Sequence, residues 1–395
     1  MPSTPVPPLP SPTRPDRCRG ALLGLAVGDA IGTTVEFSMP GSFPPMTDMV
    51  GGGPFGLPAG AWTDDTSMAL CLADSLLARR AHDPADVLAR YVRWYRHGER
   101  SSTGTCFDIG IATRQALERF ERTGDPRSGL AFPDAGGNGV LMRLAPLILA
   151  FGHSREAAVD ATGRESDATH GHVGARDAAR VFAALLADAL DGGGRDGVLG
   201  PDAPFLPLAE LDAEVAVVAG GSFRAGGDAG SGADGDGNAS GRDAGDGGPG
   251  SAGSDRVEAT GGDDQGARPS GVGAVPPGIA GRGFAPKSLE AALWAVWSTR
   301  SFADAVLAAV NLGDDADTTG AIAGQLAGAL YGAEAIPDRW RRRVLLGDEI
   351  EGLADGLLAL SAELSVAAGA SPQDPGAGPA GSPPAGGSIP PDAGA

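Results

Sequence analysis

The chain has 395 residues, a formal net charge of −20 and only 5% aromatic residues, while its 64 Gly and 32 Pro lie far above average usage. An acidic balance this strong, with no offsetting Lys/Arg cluster, argues against nucleic acid or an anionic membrane surface as a main partner. Cys18, Cys71 and Cys106 are too few and too scattered for a disulfide framework or a zinc site. The first residues lack the apolar core of a secretory signal, and no run of about 18 uncharged apolar residues occurs, so a cytoplasmic protein without a transmembrane helix is expected.

In chain order, a Pro-rich head (1–14) reads as disordered. Apolar spacing of three and four then predicts helices over 18–31, 67–80, 84–95, 107–123, 141–149, 155–162 and 172–190. The stretch 213–219 is apolar but too short to make a convincing strand. A Gly/Asp-rich segment over 220–283 cannot bury enough apolar surface to offset the entropy of ordering it, and reads as a disordered insertion. Helical spacing resumes over 288–299, 302–310, 319–331 and 350–364, and the tail 366–395 reads as disordered. The expected fold is all-α, an orthogonal multi-helix bundle forming one domain (15–365) that carries the long insertion.

Two helices carry Gly at every fourth position: Gly24, Gly28 and Gly32 in the first, Gly320, Gly324, Gly328 and Gly332 in the late one. That spacing places each set on one helix face. Gly costs about 1 kcal/mol against Ala in a helix, so the stripes point to close helix–helix approach.

Thr63-Asp64-Asp65-Thr66 opens a helix, as does Asp314-Asp315-Ala316-Asp317-Thr318-Thr319. An N-cap accounts for one oxygen at such a place, whereas the second segment crowds three carboxylates and two hydroxyls. Like charges at this density are unfavourable without a cation. An all-oxygen set with no His or Cys suits Mg²⁺, Mn²⁺ or Ca²⁺ rather than zinc. An EF-hand fails, because counting from Asp315 the twelfth position is Leu326, where a bidentate Glu is required. A metal pair shared between the two helix entrances is the better account.

Gly136-Gly137-Asn138-Gly139 precedes a predicted helix from Val140, with Arg143 one turn in; it is either a simple turn or an anion cradle of backbone N–H groups. His170 is the expected substrate contact of the Thr169-His170-Gly171-His172 run, and His172 is left structural. Glu36, leaving the first Gly-rich helix, is either a solvated loop residue or a base facing a cleft.

Together GALLGLAVGDAIG…VEF, WTDDTSMAL, GNGVLMRLAPL, DATHGHVGARDAARVFAALL and NLGDDADTTGAIAGQLAGALYG, in that order, resemble the ADP-ribosylglycohydrolase family. The resemblance implies an all-α enzyme holding two Mg²⁺ or Mn²⁺ through Thr63, Asp64 and Asp65 on one side and Asp315, Asp317 and Thr318 on the other. It implies that Gly137, Asn138, Gly139, Val140, Leu141 and Met142 cradle sugar and phosphates, that His170 touches substrate, and that Glu36 lies near the reacting ribose. Glu36, Asp65 and Asp315 form the expected catalytic set. Family members commonly have Gly where this chain has Asp314, and Gly-Tyr in the segment that here reads Gly283-Phe284. If that aromatic stacks on adenine, Phe284 does likewise.

The implied reaction is hydrolysis of the N- or O-glycosidic bond at C1″ of an ADP-ribosyl adduct, through an oxocarbenium-like transition state. The substrate would be an ADP-ribosylated protein or a small ADP-ribose conjugate, with nucleic acid entering only as an ADP-ribosylated substrate, and the enzyme a monomer. The competing reading is a catalytically silent ADP-ribose or nucleotide-binding module, against which a complete ligand set weighs. The acceptor stays open among arginine, serine, polymer, nucleobase and O-acetyl-ADP-ribose.

Overall fold

The first helix begins where the sequence supplies a cap and a stiff first turn: the Thr13 hydroxyl accepts from Asp16 N–H, and Pro15 sits at the second helical position. The computed structural model describes residues 11–132, 135–225 and 275–369. Its helices are α1 (Arg14–Gly32), α2 (Asp64–Arg79), α3 (Pro84–His97), α4 (Ile111–Thr123), α5 (Ala145–Phe151), α6 (Arg155–Thr169) and α7 (Val173–Leu190). They continue with α8 (Arg195–Leu199), α9 (Ala213–Ala219), α10 (Ala285–Trp297), α11 (Phe302–Val310), α12 (Ala316–Tyr331), α13 (Asp338–Arg341) and α14 (Gly347–Gly369). Among the described residues there is no strand, only the isolated bridges Gly52–Leu57, Leu130–His170 and Gly137–Phe284. The all-α expectation holds.

Helices α1 and α12 form the central pair, buried on nearly every face. Their Gly stripes meet in antiparallel order, Gly20 on Gly328, Gly24 on Gly324 and Gly28 on Gly320. A Cβ on Gly320 would stand 2.7 Å from the Gly28 carbonyl oxygen and 2.8 Å from Val310 Cγ1, closer than real side chains approach. The antiparallel order brings the C-terminal end of α1, and the loop carrying Glu36, beside the N-terminal end of α12 with its Asp-rich entrance. The site follows from that crossing.

Several expected boundaries shift for local reasons. The predicted helix over 141–149 divides into a 3-10 turn, Leu141–Arg143, and α5, because Pro146 has no N–H to donate to a preceding turn. The helix expected from 107 starts at Ile111, since Asp108 takes φ 55°. The short apolar stretch at 213–219 is α9, its first turn capped by Asp212 accepting from Glu214 N–H at 3.0 Å.

The insertion drawn at 220–283 overreaches at both margins. Phe223 is fully buried, and Arg224 donates to the carbonyls of Leu199 and Gly200 at 2.6 and 2.7 Å. On the far side the Gly281 carbonyl accepts from Asp315 N–H at 2.9 Å, and the Gly283 carbonyl from Asn138 N–H at 3.2 Å. The rest of that segment, 226–274, lies outside the described residues, as do residues 1–10 of the Pro-rich head and 370–395 of the tail. No helix among the described residues is long and apolar enough to cross a membrane.

Candidate active site

Neither acidic helix entrance is capped by its own N-cap side chain. Thr63 and Asp315 occupy the N-cap positions of α2 and α12, yet neither side chain makes a capping hydrogen bond. The caps come from elsewhere in the chain. Asp29 on α1 accepts from the N–H groups of Thr63 and Thr66 at 2.9 and 3.0 Å, and from the Thr66 hydroxyl at 2.7 Å. Glu36 Oε2 accepts from the N–H groups of Ala316 and Asp317 at 2.8 and 3.2 Å. Within the entrances Asp317 Oδ1 accepts from Thr318 N–H at 2.7 Å, and the Thr63 hydroxyl donates to Asp29 Oδ1 at 3.0 Å. The outside caps spare the Asp64, Asp65 and Asp315 carboxylates from serving these N–H groups. Capping alone does not account for the oxygens crowded at these segments.

The two entrances meet reciprocally. Thr63 Oγ1 lies 3.3 Å from Asp317 Oδ2, and Thr318 Oγ1 lies 3.4 Å from Asp65 Oδ2. Asp315 Oδ2 accepts from Asn138 Nδ2 at 2.8 Å, which ties the Gly-rich loop to the same cluster. Ligand oxygens of Glu36, Asp315 and Asp317 lie within 4.8 Å of one another. Glu36 thus belongs to the carboxylate cluster itself and is not a solvated loop residue.

So many acids cannot ionise together in a protein interior. Burial first, then repulsion from Asp317, pushes Asp29 and Asp315 up to about 7, Asp108 up to about 9 and Glu36 up to about 12. Asp64 and Asp65 are held well above the carboxylate range, chiefly by burial. Asp65 Oδ1 is buried without a hydrogen-bond partner. Among the described residues no Lys or Arg lines the cavity beside them. Converging anionic oxygens, an orphaned carboxylate oxygen and no basic side chain fit hard divalent cations.

The cluster forms the floor of a cavity of about 400 Å³. Glu36, Asp64, Asp108, Asp314, Asp315, Asp317 and Thr318 supply its acidic lining, Gly137, Asn138, Gly139, Met142, His170 and Gly283 line it beside them, and Phe37 and Ile111 are apolar residues of its wall. Thr63 and Asp65 are buried behind the lining. The side chains of Val140 and Leu141 point into the core, so only their backbone is available to a ligand. Phe284 stands beside the cavity without lining it: its ring packs over Gly136 and edge-on to His172, centroids 6.5 Å apart. His172 caps α7, its Nδ1 accepting from Gly174 N–H at 3.1 Å, a structural role as expected. Arg143 faces inward, fully buried, and donates to Glu165 Oε1 at 2.9 Å and to the Gly139 carbonyl, so it braces the loop from behind and meets no anion in the cavity.

Two residues of the site were not singled out from sequence. Asp29 had a signal, a carboxylate inside an apolar Gly helix, which is costly unless it is fully bonded. Asp108 had none: it lines the cavity from a left-handed backbone position, φ 55°.

The helical fold carries a cavity with a buried acidic floor, an all-oxygen cluster of the kind that suits hard divalent cations. The family model for ADP-ribosylglycohydrolase matches residues 10–366, and the chain belongs to that family of glycosyl-bond hydrolases. It is similar to ADP-ribosylarginine hydrolase Tri1 of Pseudomonas putida (strain GB-1), 40% identical over 342 residues, covering 87% of this chain and 78% of that protein. ADP-ribosyl-[dinitrogen reductase] glycohydrolase of Rhodospirillum rubrum is 29% identical over 359 residues, covering 89% and 98%. A solved structure described as an ADP-ribosylglycohydrolase-related protein complex has a TM-score of 0.66 at 39% identity, covering 88% of this chain and 99% of that one.

Proposed function

We propose that the chain hydrolyses the glycosidic bond at C1″ of ADP-ribosylarginine in proteins, releasing ADP-ribose, and that two divalent cations are required. The reading is carried by the reciprocal contact of the two helix entrances, which Asp29 and Glu36 cap from outside. The arginine acceptor rests on the printed activity of the 40% identical relative.

Thr63, Asp64, Asp65, Asp315, Asp317 and Thr318 would hold the cations, joined by Glu36. Bound there, Mg²⁺ or Mn²⁺ would supply positive charge that neutralises the cluster and orients a ribose diol. The protein's own residues do the rest. Asn138 fixes Asp315 and orders the turn between Gly137 and Gly139, whose backbone can approach a sugar or phosphate closely because these two glycines carry no side chains. Glu36 has one carboxylate oxygen engaged by backbone N–H groups; with the cluster's charge neutralised by cations the carboxyl would ionise, leaving its other oxygen to take a proton from water. Phe37, Ile111 and Met142 provide apolar wall that restricts solvent around the reacting ribose.

Defined substrates carrying ADP-ribose on arginine, on serine or as polymer, assayed with EDTA, Mg²⁺ or Mn²⁺, test the proposal. Metal-dependent release of ADP-ribose from the arginine substrate is the expected result. Binding of ADP-ribose without release from any substrate would favour the silent binding module instead.

A further inference from the structure

His170 is a cavity residue whose chemistry is set from behind. Arg143 Nη2 donates to Thr169 Oγ1 at 2.7 Å, and Thr169 Oγ1 lies 2.8 Å from His170 Nδ1. A guanidinium only donates, so the Thr169 hydroxyl must accept from it. The single hydroxyl hydrogen then has to find an acceptor, and among the described residues it meets only Nδ1. The reverse arrangement, Nδ1–H donating to Thr169, would strand that hydrogen in an interior where Thr169 is fully buried. It would also turn a positive N–H dipole toward the Arg143 charge.

Arg143 itself cannot turn away. Its Nε and Nη2 both donate to Glu165 Oε1, at 3.0 and 2.9 Å. Tyr91 OH donates to the same oxygen at 3.0 Å, and His82 Nε2 lies 3.1 Å from Glu165 Oε2. The result is a fully enclosed network with its last hydrogen bond aimed at the His170 ring.

The far nitrogen of that ring faces the cavity. A Cβ on Gly139 would stand 2.8 Å from His170 Cε1 and 3.1 Å from Nε2, and one on Gly137 3.4 Å from Nε2. The absence of side chains at these two positions opens Nε2 to a ligand. Among the described residues Nε2 has no hydrogen-bond partner within the protein.

We infer that Arg143, acting through Thr169, holds His170 as the neutral Nε2–H tautomer, so that the cavity offers a hydrogen-bond donor to a phosphate or hydroxyl oxygen of the ADP-ribosyl group. Thr169 and Arg143 are positioning residues, and the bonded substrate oxygen is the specificity element they serve. Burial first, then the Arg143 charge, pushes His170 down to about 3, so the ring stays neutral at any working pH. The inference rests on the proposal that an ADP-ribosyl group occupies this cavity.

The ring nitrogens of ¹⁵N-labelled protein, with the His170 signals identified by their loss in His170→Gln, read the tautomer without any ligand. A pyridine-type Nδ1 and a pyrrole-type Nε2 are expected. Thr169→Val should redistribute the proton toward Nδ1 and weaken ADP-ribose binding about tenfold, the loss of roughly one hydrogen bond. Thr169→Ser should restore both. A protonated Nδ1 in the wild type would overturn the inference, as would a folded Thr169→Val protein that keeps Nε2–H and wild-type affinity. Failure of the wild type to bind ADP-ribose would count against the proposed substrate alone, because the ring spectrum is read independently.

Discussion

Glu36 accepts the backbone N–H of Asp317 at 3.2 Å, so a carboxylate that lines the cavity is also the cap of the helix that carries the acidic cluster. One side chain thus couples the α1 exit loop to the α12 entrance. Glu36→Gln keeps an oxygen that can accept from Ala316 and Asp317 but loses the negative charge. It should lower kcat by about 10²–10⁴-fold while the protein remains folded. Because Glu36 lies in the cluster, its metal affinity should fall too. If kcat stays within about threefold at saturating metal, Glu36 only caps α12 and Asp108 becomes the candidate base.

Asp65→Asn and Asp317→Asn each remove one anionic oxygen from the point where the two entrances meet. Turnover should be lost in both, with helix content preserved by circular dichroism. Full activity in either protein, or in wild type with excess EDTA, would rule out the dinuclear proposal.

The metal-free protein should become less stable as pH rises. A carboxyl whose folded pKa stands above its unfolded one holds its proton more tightly when folded. For Asp29, Asp315 and Asp108 the stability gained this way is complete below the ordinary value of 3.8 and is lost as pH rises through about 7 and then about 9. Melting temperature in EDTA should fall across that window, and Mn²⁺ should flatten the fall by replacing protons with a cation. A flat profile in EDTA would mean that the carboxylates are not stressed.

Two glycine substitutions separate packing from propensity. Gly320→Ala places a methyl against the Gly28 carbonyl, and overpacking of this kind costs about 1–3 kcal/mol. Gly352→Ala on α14 meets no atom within 4 Å and should gain up to about 1 kcal/mol of helix propensity. Denaturant unfolding of both decides; equal effects would remove close α1–α12 contact as the reason for the stripe.

Replacing residues 226–274 with a short Gly-Ser linker should shift the melting temperature by no more than about 3 °C, since shortening a loop changes closure entropy only slightly. A cut widened to 222–282 should cost far more. It removes the buried Phe223, the Arg224 bonds to Leu199 and Gly200, and the Gly281 carbonyl that holds Asp315. Equal melting of the two deletions would contradict the packed margins.

Helical periodicity, the two Gly stripes and the Asp-rich entrances were legible in the sequence because each depends on residues a few positions apart. Side-chain identity and a fixed period dictate which face is apolar, which face admits a neighbour and which turn crowds charge. The sequence by itself therefore determined the all-α class, the close helix pair and the two halves of the acidic site. It did not reveal that Asp29 and Glu36 cap those halves, that Arg143 turns inward to Glu165, or that Asp108 joins the cavity. Those facts belong to the tertiary structure alone, since whether a carboxylate caps, ligates or faces water depends on which distant N–H groups and charges surround it. The antiparallel crossing of α1 and α12 decides that environment, by setting the exit of one helix against the entrance of the other.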